Sequence, residues 1–163
     1  MATELKSGLQ DGGERKNFDT GAMREVSDGR GRCDLLPLDA VALLCTEENG
    51  RVLKAIERFK SGKNIKTLVY AIAVFATNED VDIYTLMLEQ SKHFEADARK
   101  YSENNWKKGI PLHCYLDSAV RHLLKHLRGD TDEPHDRAVV WNLLCAIWTC
   151  SHKPELDDVE IDI

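Results

Sequence analysis

Aromatic residues are scarce, 7% of the 163 residues against 42% hydrophobic overall, so a core built from this chain must be mostly aliphatic. Basic residues are not in excess. Lys and Arg number 22 against 28 Asp and Glu, a formal charge of −6, which argues against the broad basic face that holds duplex nucleic acid. A nucleotide is not excluded, because its phosphates need only a few local cations or a metal. No apolar run approaches the roughly 20 residues of a bilayer-spanning helix. The stretch from Thr67 to Ala76 is apolar but too short, so no membrane partner is expected. The start, Met1-Ala2-Thr3-Glu4-Leu5-Lys6, has no signal-peptide pattern. The five cysteines, Cys33, Cys45, Cys114, Cys145 and Cys150, are odd in number and form no C-x-x-C pair. Reduced thiols in a cytoplasmic protein are the expectation.

What is present is helical periodicity. Residues 1–17 are polar and Gly-rich and are expected to be a disordered tail. Gly and charge dominate residues 18–36, which read as an extended arm. Helices are expected from Pro37 to Thr46, from an Asn49 cap to Ser61-Gly62, from Asn64 to Ala76, from Asp80 to Tyr101, from Pro111 to Gly129 and from Glu133-Pro134 to Ser151. The third is apolar nearly all round and reads as the central buried element. Residues 152–163 form an acidic tail expected to fray. The predicted fold is all-α: one domain over 18–151, a bundle of about six helices with an extended N-terminal arm.

Chemistry-bearing residues gather on the last two helices. Asp117 and Arg121 share a face one turn apart, His122 adjoins them, and His135 and Asn142 share a stripe. Glu133 and Asp136 flank His135. Each has a plain structural alternative: a surface ion pair, a hydrogen-bonded core histidine, acids at a helix N-terminus. Asn142 is harder to dismiss. It lies within Val-Val-Trp-Asn-Leu-Leu-Cys, where a buried amide needs a partner, His135 or a ligand. The loop from Arg99 to Gly109 combines Lys100, Tyr101, Asn105, Trp106 and Lys108, a mixture suited to phosphate charge and base stacking. A solvated loop with Trp106 plugging the core is the alternative.

These residues fall in a recognisable order: Lys100-Tyr101, Asn105-Trp106-x-Lys108-Gly109-Ile110-Pro111, Leu116-Asp117-Ser118-Ala119-Val120-Arg121-His122, Gly129-Asp130, His135, and Trp141-Asn142-Leu143-Leu144. With Phe18-Asp19-Thr20-Gly21-Ala22-x-Arg24 and Gly31-Arg32-Cys33-Asp34-Leu35-Leu36-Pro37 upstream, the set resembles the N-terminal domain of phage dATP/dGTP diphosphohydrolases. That family is similar to MazG-like all-α pyrophosphatases. The resemblance implies hydrolysis of a purine (deoxy)nucleoside triphosphate to monophosphate and pyrophosphate, with Mg²⁺ or Mn²⁺ held by helical carboxylates. It implies metal ligands among Asp117, Asp136, Glu95, Asp97 and Glu133. Lys100, Arg121 and Lys108 would meet phosphates, and Tyr101, Asn105, Trp106 and Asn142 would complete the substrate site. His122, His135 and Asp117 would serve catalysis. A homo-oligomer, dimer or tetramer, in the host cytoplasm is implied as well. The Glu-x-x-Glu and Glu-x-x-Asp pairs of the MazG-like class are not spelled out, since Glu95 and Asp97 are two apart. A nucleotide- or nucleotide-signal-binding protein without turnover is therefore the alternative.

Overall fold

The computed structural model describes residues 14–160 and the short backbone segments 3–4 and 10–11. Strand β1 (Thr3–Glu4) pairs antiparallel with β2 (Gln10–Asp11), and β3 (Arg15–Asn17) with β4 (Met23–Glu25). The arm therefore begins ahead of Phe18, in a hairpin whose turn holds Gly21 at φ +89°. The rest of the expected tail, residues 1–2, 5–9 and 12–13, lies outside the described residues. The arm continues through a 3-10 turn, Cys33–Leu35, packed on the fifth helix.

Six α-helices follow, as the all-α reading expects. They are α1 (Leu38–Ala42), α2 (Glu47–Gly62), α3 (Ile65–Asn78), α4 (Ile83–Lys100), α5 (Leu112–Arg128) and α6 (His135–His152). Their ends follow capping chemistry. Thr46, one turn ahead of the expected Asn49, accepts the Asn49 backbone N–H at 3.4 Å, Asn64 accepts that of Lys66, and Asp82 that of Thr85. Gly129 closes α5 in the left-handed conformation that glycine adopts at little cost.

The centre differs from expectation. On α3, Val69 and Tyr70 are half exposed, 50% and 48%, so this apolar helix has an outer face. The central element is α6. It buries Ala138 to Leu143, Cys145, Ala146 and Thr149, and it packs against α3, α4 and α5. A helix covered on several sides needs apolar residues all round. α3 shares that composition without that environment. The core is mainly Leu, Ile, Val and Ala, with Phe59, Phe75, Tyr115 and Trp141 among them. No helix is long and apolar enough to cross a membrane among the described residues.

The C-terminal segment is docked over its described length, where fraying was expected. Its acidic residues do the docking. Asp157 meets Lys63 Nζ at 3.0 Å, and Asp158 accepts the His113 backbone N–H at 2.9 Å and pairs with the His113 ring. Leu156 lies against Gly109, where a Cβ would stand 2.7 Å from Leu156 Cδ1 and 3.0 Å from Thr20 Cγ2. Gly109 also has φ +121°, so a side chain is excluded there twice over.

Candidate functional site

The arm hairpin, α4, α5 and the start of α6 enclose a cavity of about 320 Å³, at the lower end of the range for small-molecule clefts. Its wall carries seven Lys or Arg side chains and five Asp or Glu. That local excess of positive charge, in a chain of net −6, suits a polyanion.

Asn105 seats the arm. Its Oδ1 accepts the Met23 N–H and its Nδ2 donates to the Met23 carbonyl, both at 2.8 Å, so the amide side chain continues the strand pairing. The next residue, Arg24, enters the cavity. Its Nη2 donates to Ser118 Oγ at 2.7 Å and to Asn142 Oδ1 at 3.2 Å, while its guanidinium lies 5.3 Å from the Tyr115 ring centre. Asn142 Nδ2 donates to the Ala138 carbonyl at 2.8 Å. The buried amide is thus satisfied by Arg24 and backbone, not by His135. Arg24 Nη1, His93 Nδ1 and Trp141 Nε1 are buried without a hydrogen-bond partner among the described residues, and all three residues line the cavity. Buried polar atoms in this condition are uncommon and suit a polar ligand.

On α4, His93, Asp97 and Lys100 face the cavity. Burial, helped by the charges of Arg137 and Lys100, pushes the His93 imidazole down to about 3, so it is neutral at pH 7. Burial pushes the Asp97 carboxyl up to about 6, with Arg24 and Lys100 opposing. Lys100 bonds to Glu25 of the arm. Tyr101 lines the wall beside it, its hydroxyl pushed up by burial to about 12.

On α5, Asp117 is buried and fully engaged. It accepts Arg121 Nη2 at 2.7 and 2.9 Å and the Cys33 backbone N–H at 2.7 Å. Arg121 also donates to the Gly31 carbonyl. The pair thus locks the arm onto α5. Next to it, His122 Nδ1 lies 2.9 Å from His135 Nδ1, and each of these nitrogens is 3.6 Å from Glu133 Oε1. Burial first, then the neighbouring His135, holds the His122 imidazole well below its usual range. Asp132 Oδ1 is 2.7 Å from His135 Nε2. His122, Glu133 and His135 form one group that could hold a metal ion, and Asp130, Asp132 and His135 form another.

The structure brings most of the residues singled out from sequence to this cavity: Lys100, Tyr101, Asn105, Asp97, Asp117, Arg121, His122, Glu133 and Asn142. His135 stands behind His122. Four others lie off the wall. Glu95 is an exposed partner of Arg99, and Asp136 is exposed at the start of α6. Lys108 is exposed with Nζ 3.4 Å from Ser102 Oγ. Trp106 packs edge-on against Phe94 and Trp148, ring centres 5.5 and 5.1 Å away, which is the core-plug alternative. Arg24, Arg30, Arg32, His93, His113 and Lys125 line the cavity without having been singled out. For Arg24 the signal was its place in the Phe18-to-Arg24 block. For His93 it was the i, i+4 spacing to Asp97 on one helix face.

No curated protein and no solved structure matches the chain. A family model described as dATP/dGTP diphosphohydrolase, N-terminal, matches residues 78–159, half of the chain, spanning α4, α5 and α6 and most of the cavity wall. The chain belongs to that family.

Proposed function

We propose that the protein hydrolyses a purine (deoxy)nucleoside triphosphate, dGTP or dATP, to the monophosphate and pyrophosphate in a divalent-metal-dependent reaction. The observation that carries this reading is the cation-rich cavity bordered by a His–Glu–His group, His122 and Glu133 lining it and His135 behind them, with most of its wall in the segment the family model covers. The MazG-like relationship, a phage setting and a cytoplasmic location belong to the same reading. So does a homo-oligomer.

Arg24, Arg30 and Lys100 bind phosphate oxygens, with Arg121 held beside them by Asp117. Asn142 and Ser118 orient Arg24. Tyr101 and Asn105 border the substrate where the arm meets the segment that follows α4. His122, backed by His135, orients the attacking water or a phosphate oxygen. Glu133 is the carboxylate of the wall best placed to hold the divalent ion, since it lies in a group of possible ligands and Asp117 is already spent on Arg121 and Cys33. When bound, the ion neutralises triphosphate charge and lowers the pKa of water. Water adds to the α-phosphorus, the bond from that phosphorus to the α–β bridging oxygen breaks, pyrophosphate leaves with that oxygen and its charge, and the water's proton is released to solvent. Incubation with dGTP and dATP in Mg²⁺ or Mn²⁺, assayed for pyrophosphate, tests this. No pyrophosphate with either nucleotide or metal would overturn it.

The positions of Glu95 and Asp136, both off the cavity, favour a second reading. The cavity then binds a nucleotide, or a signal derived from one, without turnover. Thermal stabilisation by dGTP without metal, and without product, distinguishes it.

A further inference from the structure

We propose that His122, His135 and Glu133 form a three-ligand site for a transition-metal ion of the Mn²⁺, Co²⁺ or Zn²⁺ type. The inference rests on the metal-dependent reading above for its purpose, though not for its geometry.

Three atoms face one another: His122 Nδ1, His135 Nδ1 and Glu133 Oε1, separated by 2.9, 3.6 and 3.6 Å. The point equidistant from all three lies about 2.0 Å from each, the length of a metal–imidazole or metal–carboxylate bond. An ion at or slightly above that plane meets all three at bonding distance without rearrangement. Two imidazoles and one carboxylate are a borderline donor set. They favour Mn²⁺, Co²⁺ or Zn²⁺ over Mg²⁺, which prefers oxygen ligands.

The surroundings agree. Asp132 Oδ1 lies 2.7 Å from His135 Nε2 and favours the tautomer with its proton on Nε2, donated to that carboxylate, which leaves the Nδ1 lone pair for the site. A carboxylate fixing the far nitrogen of a metal-bound histidine is the usual outer partner. The three ligands are held close by a short connection, with His122 on α5, Glu133 in the α5–α6 connection and His135 at the start of α6. His122 and Glu133 line the cavity, so the remaining coordination positions open toward the ligand space, as in a catalytic site. With no ion, one Nδ1–H donates to the other ring, and Glu133 faces two nitrogens that offer it no proton at hydrogen-bonding distance.

The test uses untagged full-length protein, stripped with chelator and titrated with Co²⁺, Zn²⁺, Mn²⁺ and Mg²⁺ in the absence of nucleotide. One equivalent of Co²⁺ should bind with a visible absorption band, and Zn²⁺ should displace it. Mg²⁺ should do neither. His122→Ala, His135→Ala and Glu133→Gln should each weaken Co²⁺ at least tenfold, and Asp132→Asn roughly tenfold. His152→Ala, at the far end of α6, should bind as wild type. X-ray absorption on the Zn²⁺-loaded wild type should count two imidazole ligands, which holds even if a variant fails to fold. Absence of a Co²⁺ band, a Zn²⁺ environment without imidazole, or undiminished binding in a folded His122→Ala/His135→Ala protein would overturn the site. The two readings separate cleanly. Metal bound by these residues with no pyrophosphate formed ends the hydrolase reading alone. Pyrophosphate formed by the wild type, with Co²⁺ binding undiminished in folded His122→Ala/His135→Ala, ends the metal site alone.

Discussion

Arg24 and Asn142 meet across the cavity, the guanidinium donating to the amide oxygen at 3.2 Å although 118 residues separate them. This contact ties the arm to the central helix. Replacing Asn142 by Ala removes that acceptor and the amide bonded to Ala138. It should lower stability by about 1–3 kcal/mol, read by chemical denaturation. A loss below a few tenths would show that the contact contributes nothing.

Arg24 itself is a different matter. Its Nη1 has no hydrogen-bond partner among the described residues, which leaves a donor for the phosphates of the proposed substrate. Arg24→Ala should weaken dGTP binding about tenfold or more, the scale of one charge-assisted hydrogen bond. Arg24→Lys should recover only part of it, because a point charge cannot reproduce the fork. Calorimetric titration with a non-hydrolysable dGTP analogue measures both, and wild-type affinity in Arg24→Ala would remove Arg24 from the phosphate site.

Asp117→Asn leaves Arg121 buried beside a neutral group. The expected loss is about 3 kcal/mol, typical of removing one partner of a buried ion pair. Hydrogen exchange at the Cys33 amide should rise with it, since that N–H is bonded to the same carboxylate. Unchanged protection at Cys33 would contradict the arm-locking role.

The His113–Asp158 pair gives the C-terminal segment a pH dependence. The Asp158 hydrogen bond, aided by Cys114, raises the His113 imidazole from 6.5 to about 10. A raised histidine contributes stability fully below its unfolded value and loses it as pH climbs through the folded one. Docking should therefore weaken from pH 6.5 toward 10. It should also weaken in acid, because Asp158 is held below its usual range and is protonated there. The site is partly exposed, so the effect should be about 1 kcal/mol or less. An NMR titration of His113 centred near 6.5 would exclude it.

A second copy of the chain has apolar surface available on α4, where Tyr84 and Leu88, one turn apart, are 81% and 71% exposed. If the proposed homo-oligomer uses this face, Tyr84→Asp with Leu88→Lys should reduce the mass measured by light scattering to that of one chain. An unchanged oligomer places the interface elsewhere.

Much of the fold was legible because its punctuation is local. Gly129 and Asn64 announce helix ends through local chemistry that needs no distant partner, whereas the α4 cap falls on Asp82, two residues past the expected Asp80. The family segment was legible because its residues keep their order on α5 and α6. What escaped depends on distant neighbours. Arg24 becomes a site residue only when Asn105 seats Met23 and α6 presents Asn142. The apolar text of α3 and of α6 reads alike, and only the surroundings decide which is central. The acidic tail reads as solvated until Lys63 and His113 meet it. Glu95 and Asp136 looked available in sequence, and helix rotation turned both outward.

On the ribosome the arm is made well before its anchors. The Cys33 amide waits for Asp117, 84 residues later, and Arg24 waits for Ser118 and Asn142, 94 and 118 residues later. Closing contacts of such long range is slow compared with forming helices. The cavity can therefore be completed only after α6 has been synthesised, and a chain halted before Asn142 carries helices but no place for a ligand.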